Sequence, residues 1–312
     1  MLEILLATYN SGEYLAEQLD SLFAQTVQDW HLTVQDDGSS DNTCALVEQY
    51  AAEYPGRITL RRNEKNLGGA KYNFYDMLLK STGDYVMTCD HDDIWKPNKI
   101  ERTMSSMKDL ETFYGKDRPL LVHTDLTVAD GDGNPIAESM FFRQNLDPSR
   151  RSLSELLVQN NVTGCTMLVN RVLVDLLPET PPPNLIMHDW WMALVAAAFG
   201  GIGFVKEPTI LYRQHGDNEV GAKDARSLGY NARRAAKFGA ARQAVADTYL
   251  QAADFAQAYR GLLSPSQQEL VDAYGDMGNR SKLGRLRTLR RYGFGRTVWL
   301  AEWGSFCSVK SN

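Results

Sequence analysis

The chain reads as an α/β protein, a Rossmann-like and mostly parallel central sheet flanked by helices, with a C-terminal helical extension. Three observations predict this. Short apolar runs alternate with amphipathic stretches through the first third of the sequence, the pattern of successive βαβ units. Three of those runs end in polar clusters, Thr8-Tyr9-Asn10, Asp36-Asp37-Gly38 and Asp90-His91-Asp92. Right-handed crossovers put all three beyond the carboxyl ends of their strands, where such sheets bind ligands. From residue 223 the alternation stops, and alanine-rich, charged, helix-favouring sequence takes over. The expected division is an α/β domain over 1–222 and a helical extension over 223–312.

Taken in order, Leu2–Thr8 is the first strand. The helix after Ser11 carries Leu15, Leu19, Leu22 and Phe23 on one stripe. Residues 30–35 form a second strand, and the next helix runs to Tyr54 with Leu46, Val47, Tyr50 and Tyr54 on one face. Ile58–Arg62 is a third strand; Asn66-Leu67-Gly68-Gly69 is a turn, followed by a helix bearing Phe74, Met77 and Leu78. A fourth strand begins at Tyr85. Beyond Pro97 a helix runs to Tyr114, and 120–124 is a strand. Residues 153–159 are helical and 165–169 extended; 178–183 is a proline-rich break. His188-Asp189 opens an apolar helix that turns into a strand within 190–205, and 209–213 forms a last strand.

Bulk composition narrows the class. At 312 residues, 43% hydrophobic and 23% charged, the chain can bury a substantial core. A net charge of −6 argues against nucleic acid as a partner. Cys44, Cys89, Cys165 and Cys307 form no CxxC pair, which gives no zinc framework and points to a reducing compartment. No basic leader precedes the first strand, and the longest apolar run, 190–205, is shorter than the ~20 residues that span a bilayer. The expected location is the cytoplasm.

The fourth strand ends in Asp90, Asp92 and Asp93, three carboxylates within four positions. Their mutual repulsion calls for a cation, and a hard divalent metal takes carboxylate and diphosphate oxygens in one shell. The alternative is a solvated acidic turn with a cap for the next helix. Asp130-Gly131-Asp132-Gly133-Asn134 imitates a calcium loop, but Pro135 occupies the required glycine position and Phe141 the twelfth, so a β-turn is expected. A P-loop and a dinucleotide fingerprint are both missing. A dehalogenase-type phosphatase would place its acidic pair after the first strand, which here ends in Thr8-Tyr9-Asn10.

LLATYN, VQDDGSSDNT, NLGG, CDHDDIW, HDWW and YRQHGDN, in that order, closely resemble the family 2 inverting glycosyltransferases of the GT-A fold. The resemblance covers residues 1–222. The DDIW ending, the His-Asp-Trp-Trp helix start and the Tyr-Arg-Gln-His-Gly string look most like bacterial rhamnosyltransferases, which use dTDP-L-rhamnose to build cell-surface polysaccharide.

The resemblance implies a role for each matching position. Asp37 would accept the N3–H of uracil or thymine, a charge-assisted bond. Asp36 would join it or cap the next helix. Thr8, Tyr9 and Asn10 would line the base and ribose pocket. Asp92 would ligate Mg²⁺ or Mn²⁺, Asp90 would bind metal or ribose, and Asp93 would orient the turn. His215 matches a further metal or phosphate contact, against a purely structural histidine. Lys71 would touch phosphate or remain solvated. Asp189 would be the general base for an acceptor hydroxyl, against a helix cap without chemistry. Trp190 and Trp191 would stack on an acceptor sugar or belong to the core, with Trp190 favoured for the sugar. The implied activity moves rhamnose with inversion to a glycan or lipid-linked acceptor, and a UDP-hexose donor is the main alternative. A non-catalytic nucleotide-sugar scaffold would not need Asp92 or Asp189.

Between Arg280 and Arg296 stand seven basic residues and no acidic one, followed by Trp299, Leu300, Trp303 and Phe306. That order suits a peripheral membrane contact, with cations for anionic headgroups and rings at their boundary. The alternative is a solvated helix packed on the catalytic domain.

Overall fold

A computed structural model describes residues 1–215 and 238–295. Its strands are β1 (Leu2–Thr8), β2 (Trp30–Asp36), β3 (Ile58–Arg62), β4 (Tyr85–Cys89), β5 (Ile94–Trp95), β6 (Leu120–Ala129), β7 (Pro135–Ala137), β8 (Leu168–Asn170) and β9 (Gly201–Arg213). Helices α1 (Leu15–Phe23), α2 (Thr43–Glu53), α3 (Ala70–Lys80) and α4 (Lys99–Tyr114) belong to the first half. They are followed by α5 (Met140–Gln144), α6 (Leu153–Leu156), α7 (Arg171–Val174) and α8 (His188–Phe199). Then come α9 (Phe238–Ala258), α10 (Pro265–Gly275) and α11 (Lys282–Tyr292).

The strands form one mixed sheet in the order β3-β2-β1-β4-β8-β6-β9-β5, with β7 on β6. The β3-β2-β1-β4 half is parallel, as the helix-linked repeats require, while β8 runs antiparallel between β4 and β6. Every residue of β1 is buried, the mark of a strand covered on both faces. Even Glu3 is inside, its carboxylate accepting from Thr33 Oγ1 at 2.7 Å and from the N–H groups of Thr82 and Gly83 at 2.8 and 3.0 Å. Leu15, Leu19 and Leu22, at helical spacing on α1, are fully buried within the same core as Ile4, Leu6, Leu32 and Val34.

Several boundaries differ from the sequence reading. β5 is a two-residue strand hidden in the DDIW motif; Ile94 and Trp95 pair antiparallel with Leu211 and Ile210. β6 and β9 each run longer than expected. Their register shifts near Asp125, which lies opposite Pro208, so the residue that has no N–H to donate falls at an irregular point of the ladder. Residues 153–159 keep only one helical turn, and Gly164–Thr166 is a 3₁₀ turn ahead of β8.

The chain forms two compact units. The first holds Met1–Met140, Val162–Leu177 and β9; the second holds Phe141–Asn161, Pro178–Phe199 and the C-terminal helices. These units are interleaved along the sequence, and two segments before residue 222 group with the C-terminal helices. The reason lies in α8, which is apolar nearly all round and is covered within the second unit. There Trp191 lies 5.3 Å from Phe255 and 6.1 Å from Tyr259, ring to ring, and Asn184 and Ile186 donate to Asp254 and Gln251 of α9.

Within the second unit the basic residues of the C-terminal segment fall into two sets. Arg285 is buried and donates to the carbonyls of Gly278 and Arg280 at 2.7 and 3.0 Å; Arg280 pairs with Asp276 at 3.2 Å. Arg291 pairs with Glu269 at 2.8 Å. Lys282, Arg287 and Arg290 are exposed beside Leu283, with no ion pair among the described residues. Arg296, Trp299, Leu300, Trp303 and Phe306 lie outside the described residues, as do Gly216, Asp217 and Asn218 of the YRQHGDN motif. No helix among the described residues is long and apolar enough to cross a membrane.

Candidate active site

Strand register assembles the first unit's site. Thr8 is level with Asp36 on the neighbouring strand, and Leu6 is level with Cys89, so the three polar clusters emerge along one sheet edge. Thr8 Oγ1 donates to Asp36 Oδ2 at 3.1 Å. Asp36 also accepts from the N–H groups of Gly38 and Ser39 at 3.2 and 2.9 Å and from the Ser39 hydroxyl. Burial pushes its carboxyl up, but the bonds from Ser39, Cys44 and Thr8 together hold it below the usual range. Asp36 therefore organises its own loop. It is not the cap of α2, which starts at Thr43 after Asn42.

Asp37 is buried and points the other way. Its Oδ1 accepts from Asn63 Nδ2 at 2.8 Å and from the Leu67 N–H at 2.9 Å. Its Oδ2 takes only the longer branch from Leu67, at 3.1 Å, so it retains capacity for one more donor. Gly68 and Gly69, with φ of 92° and 131°, let the chain turn sharply here in a region that side-chain-bearing residues avoid. In the loop after β1, Asn10 adopts φ 50°, its N–H donating to Ser39 Oγ and its Oδ1 accepting from the Ser40 N–H. Tyr9 is 54% exposed at this edge. Lys71 sits in the first turn of α3 with its ammonium 4.8 Å from the Tyr72 ring centre.

The acidic turn separates its three carboxylates. Asp92 is 6% exposed and lies 2.8 Å from His215 Nε2. Asp90 is half-buried, and one of its oxygens clusters within 4.8 Å of atoms from Asp93 and Cys165. Asp93 is fully buried; desolvation, then the charges of Asp92 and Asp90, push its carboxyl well above the usual range. Burial likewise pushes the Cys165 thiol well up. A thiol is a soft ligand, so the Cys165 side of the cluster suits a hard cation poorly. Asp92 and His215 fit better: adjacent octahedral ligands at Mg²⁺ bond lengths stand about 3 Å apart.

Beneath the turn lies a cation that the sequence reading did not mark. Lys99, first residue of α4, is fully buried, donates to the Thr166 carbonyl at 3.2 Å and lies 4.6 Å from the Trp95 ring centre. Desolvation lowers its pKa to about 8. Asn63, Asn66 and the Leu67 N–H were also missed as partners of Asp37; the Asn-Leu-Gly-Gly turn was their one visible trace.

In the second unit, Asp189 occupies the first turn of α8, is 6% exposed, and accepts from Asn160 Nδ2 at 3.1 Å. Trp190 is half-buried, its indole N–H donating to the Leu156 carbonyl at 2.6 Å. Trp191 takes the core alternative, against an acceptor contact. It is fully buried, bonded to the Tyr259 hydroxyl at 3.1 Å, and offers no ring face to a sugar.

Residues 3–119 match the Glycosyl transferase family 2 family. The chain is 28% identical over 230 residues to the dTDP-rhamnosyl transferase RfbG of Shigella flexneri, covering 70% of this chain and 74% of that protein. Its fold is similar to the structure of S. aureus TarS 1-349 in complex with UDP-GlcNAc, with TM-score 0.58, 17% identity, and 98% of this chain and 78% of that one covered. It is also similar to the mannosyltransferase PcManGT from Pyrobaculum calidifontis in complex with GDP-Man and Mn2+, with TM-score 0.52, 17% identity, and 93% and 73% covered. With its mixed sheet, flanking helices and edge-borne acidic loops, the chain has the GT-A glycosyltransferase fold, and residues 3–119 carry a family 2 glycosyl transferase domain.

Proposed function

We propose that this glycosyltransferase moves L-rhamnose from dTDP-L-rhamnose, with inversion, to a hydroxyl of a lipid-linked or growing cell-surface polysaccharide. The observation that carries the reading is the shared sheet edge on which Asp37 keeps a free acceptor and Asp92 meets His215. Similarity to RfbG supports the donor.

In this reading Asp37 accepts the thymine N3–H, and Thr8, Tyr9, Asn10 and Asp36 shape the nucleoside pocket. Lys71 faces phosphate. Asp92, Asp90 and His215 hold Mg²⁺ or Mn²⁺, which when bound neutralises charge on the departing diphosphate. Asp189 takes the proton from the acceptor hydroxyl as its oxygen attacks the anomeric carbon. The bond from that carbon to the diphosphate oxygen breaks with its electron pair leaving on the nucleotide, so a β-linked donor gives an α-rhamnoside. Trp190 contacts the acceptor. Residues 1–222 carry this chemistry, and 223–312 form an extension that meets the cytoplasmic face of the membrane.

A panel of dTDP-rhamnose, UDP-hexoses and GDP-mannose, scored by thermal stabilisation with Mg²⁺, Mn²⁺ or chelator, tests the donor. The expected result is the largest metal-dependent shift with dTDP-rhamnose. A larger shift with a UDP-hexose overturns the rhamnose assignment and keeps the glycosyltransferase.

A further inference from the structure

The position of His215 needs an explanation. β9 ends at Arg213, and the Gln214 N–H makes a backbone bond, to the Ala129 carbonyl at 3.0 Å. His215 lies one residue further on, and its ring makes side-chain contacts. Two of these are the Asp92 carboxylate and the Tyr14 ring, whose centre lies 4.8 Å from the imidazole at an interplanar angle of 35°.

Tyr14 is itself firmly placed. It is the residue that opens α1; its carbonyl accepts from the Gln18 N–H at 3.3 Å, and the Ser11 carbonyl just before it accepts from the Leu15 N–H at 3.2 Å. The Arg213 guanidinium lies 4.5 Å from the centre of the Tyr14 ring. Arg213 is 4% exposed, pairs with Glu17 one turn along α1, and donates to the Gly131 carbonyl at 3.1 Å. A guanidinium suits this place because it stacks on a ring while its fork binds oxygens at its edge. One arginine thus fastens the start of α1 to the end of β9, and the ring it fastens touches His215.

We propose that Tyr14, held by Arg213, is a positioning residue for the His215 imidazole, keeping Nε2 directed at Asp92. Tyr14 acts through His215, by ring packing and not by its hydroxyl. The metal arm of the test rests on the metal assignment made above; the metal-free arm does not.

The experiment compares wild type with Tyr14→Ala, Tyr14→Leu and Tyr14→Phe. In metal-free protein, nitrogen-correlated NMR of the His215 ring should report a hydrogen-bonded Nε2–H in wild type and Tyr14→Phe. That signal should be lost in Tyr14→Ala and Tyr14→Leu, the leucine variant keeping apolar bulk should the alanine variant fail to fold. Mn²⁺ binding followed by electron paramagnetic resonance should weaken about tenfold in the ring-less variants and stay near wild type in Tyr14→Phe. An unchanged His215 signal in folded Tyr14→Ala or Tyr14→Leu overturns the proposal, as does a loss in Tyr14→Phe equal to that in the ring-less variants. His215→Ala is the reference. If it binds Mn²⁺ like wild type, the metal assignment falls, while the NMR result still decides the role of Tyr14.

Discussion

His215 Nε2 stands 2.8 Å from Asp92 Oδ2 although 123 residues separate the two. The pairing of β5 with β9 accounts for this closeness, because it brings the strand preceding His215 alongside the residues that follow Asp92. The pair places a nitrogen and a carboxylate oxygen where one divalent ion can take both.

Asp92→Ala should abolish metal-dependent nucleotide-sugar binding, and His215→Ala should weaken it by at least about tenfold. Calorimetric titration of the donor with Mn²⁺ and with chelator checks both. Equal binding by wild type and Asp92→Ala under both conditions would remove the metal from the site.

Asp189→Asn should leave donor binding intact and lower transfer by about 10²–10⁴-fold. The substituted amide oxygen can still accept from Asn160, which now donates at 3.1 Å, so the local geometry has reason to persist. Single-turnover transfer set beside donor affinity separates the two effects; near-normal turnover refutes the general base.

The two tryptophans should behave differently. Trp191→Ala removes a fully buried ring from the second unit and should cost about 3–5 kcal/mol in denaturant unfolding. Trp190→Ala should cost less stability and raise the KM for acceptor. Equal stability losses with no change in KM would assign both rings to packing.

His188 gives a pH signature. Burial lowers its pKa from 6.5 to about 3, so the folded chain keeps the imidazole neutral where the unfolded chain protonates it. The unfolded state then binds the extra proton, and stability should fall by about 1.4 kcal/mol per pH unit as pH drops below about 6.5, levelling off near pH 3. Urea melts at pH 7 and pH 5 should show the loss, and His188→Gln should flatten it. An equal slope in the variant would trace the loss to other groups.

Replacing Lys282, Arg287 and Arg290 together with serine should reduce partition onto anionic vesicles roughly a hundredfold at low salt, at about 1 kcal/mol per charge. Arg285→Ser should instead lower stability, because that buried guanidinium satisfies two carbonyls. Vesicle co-sedimentation and thermal melts distinguish them; undiminished sedimentation of the triple variant would remove this helix as the membrane contact.

The sequence by itself determined the parallel half of the sheet and the polar clusters at its edge. Doubly covered strands such as Leu2–Thr8 are written as continuous apolar runs, and crossover handedness then sends Thr8, Asp37 and Asp90 to one side. Periodicity also located α1, α2 and α3. Tertiary structure decided which of these residues meet. The two-residue strand at Ile94–Trp95 is too short to carry a pattern, yet it is the element that places His215 beside Asp92. Adjacent residues Trp190 and Trp191 have the same chemistry in the sequence, and only helix packing turned one into the core. The burial of Lys99 beside the Thr166 carbonyl and the pairing of Arg291 with Glu269 depend likewise on residues distant in the chain. Local sequence encodes period and turn; contacts between elements far apart in the chain set the environment of each side chain, and that environment decides its chemistry.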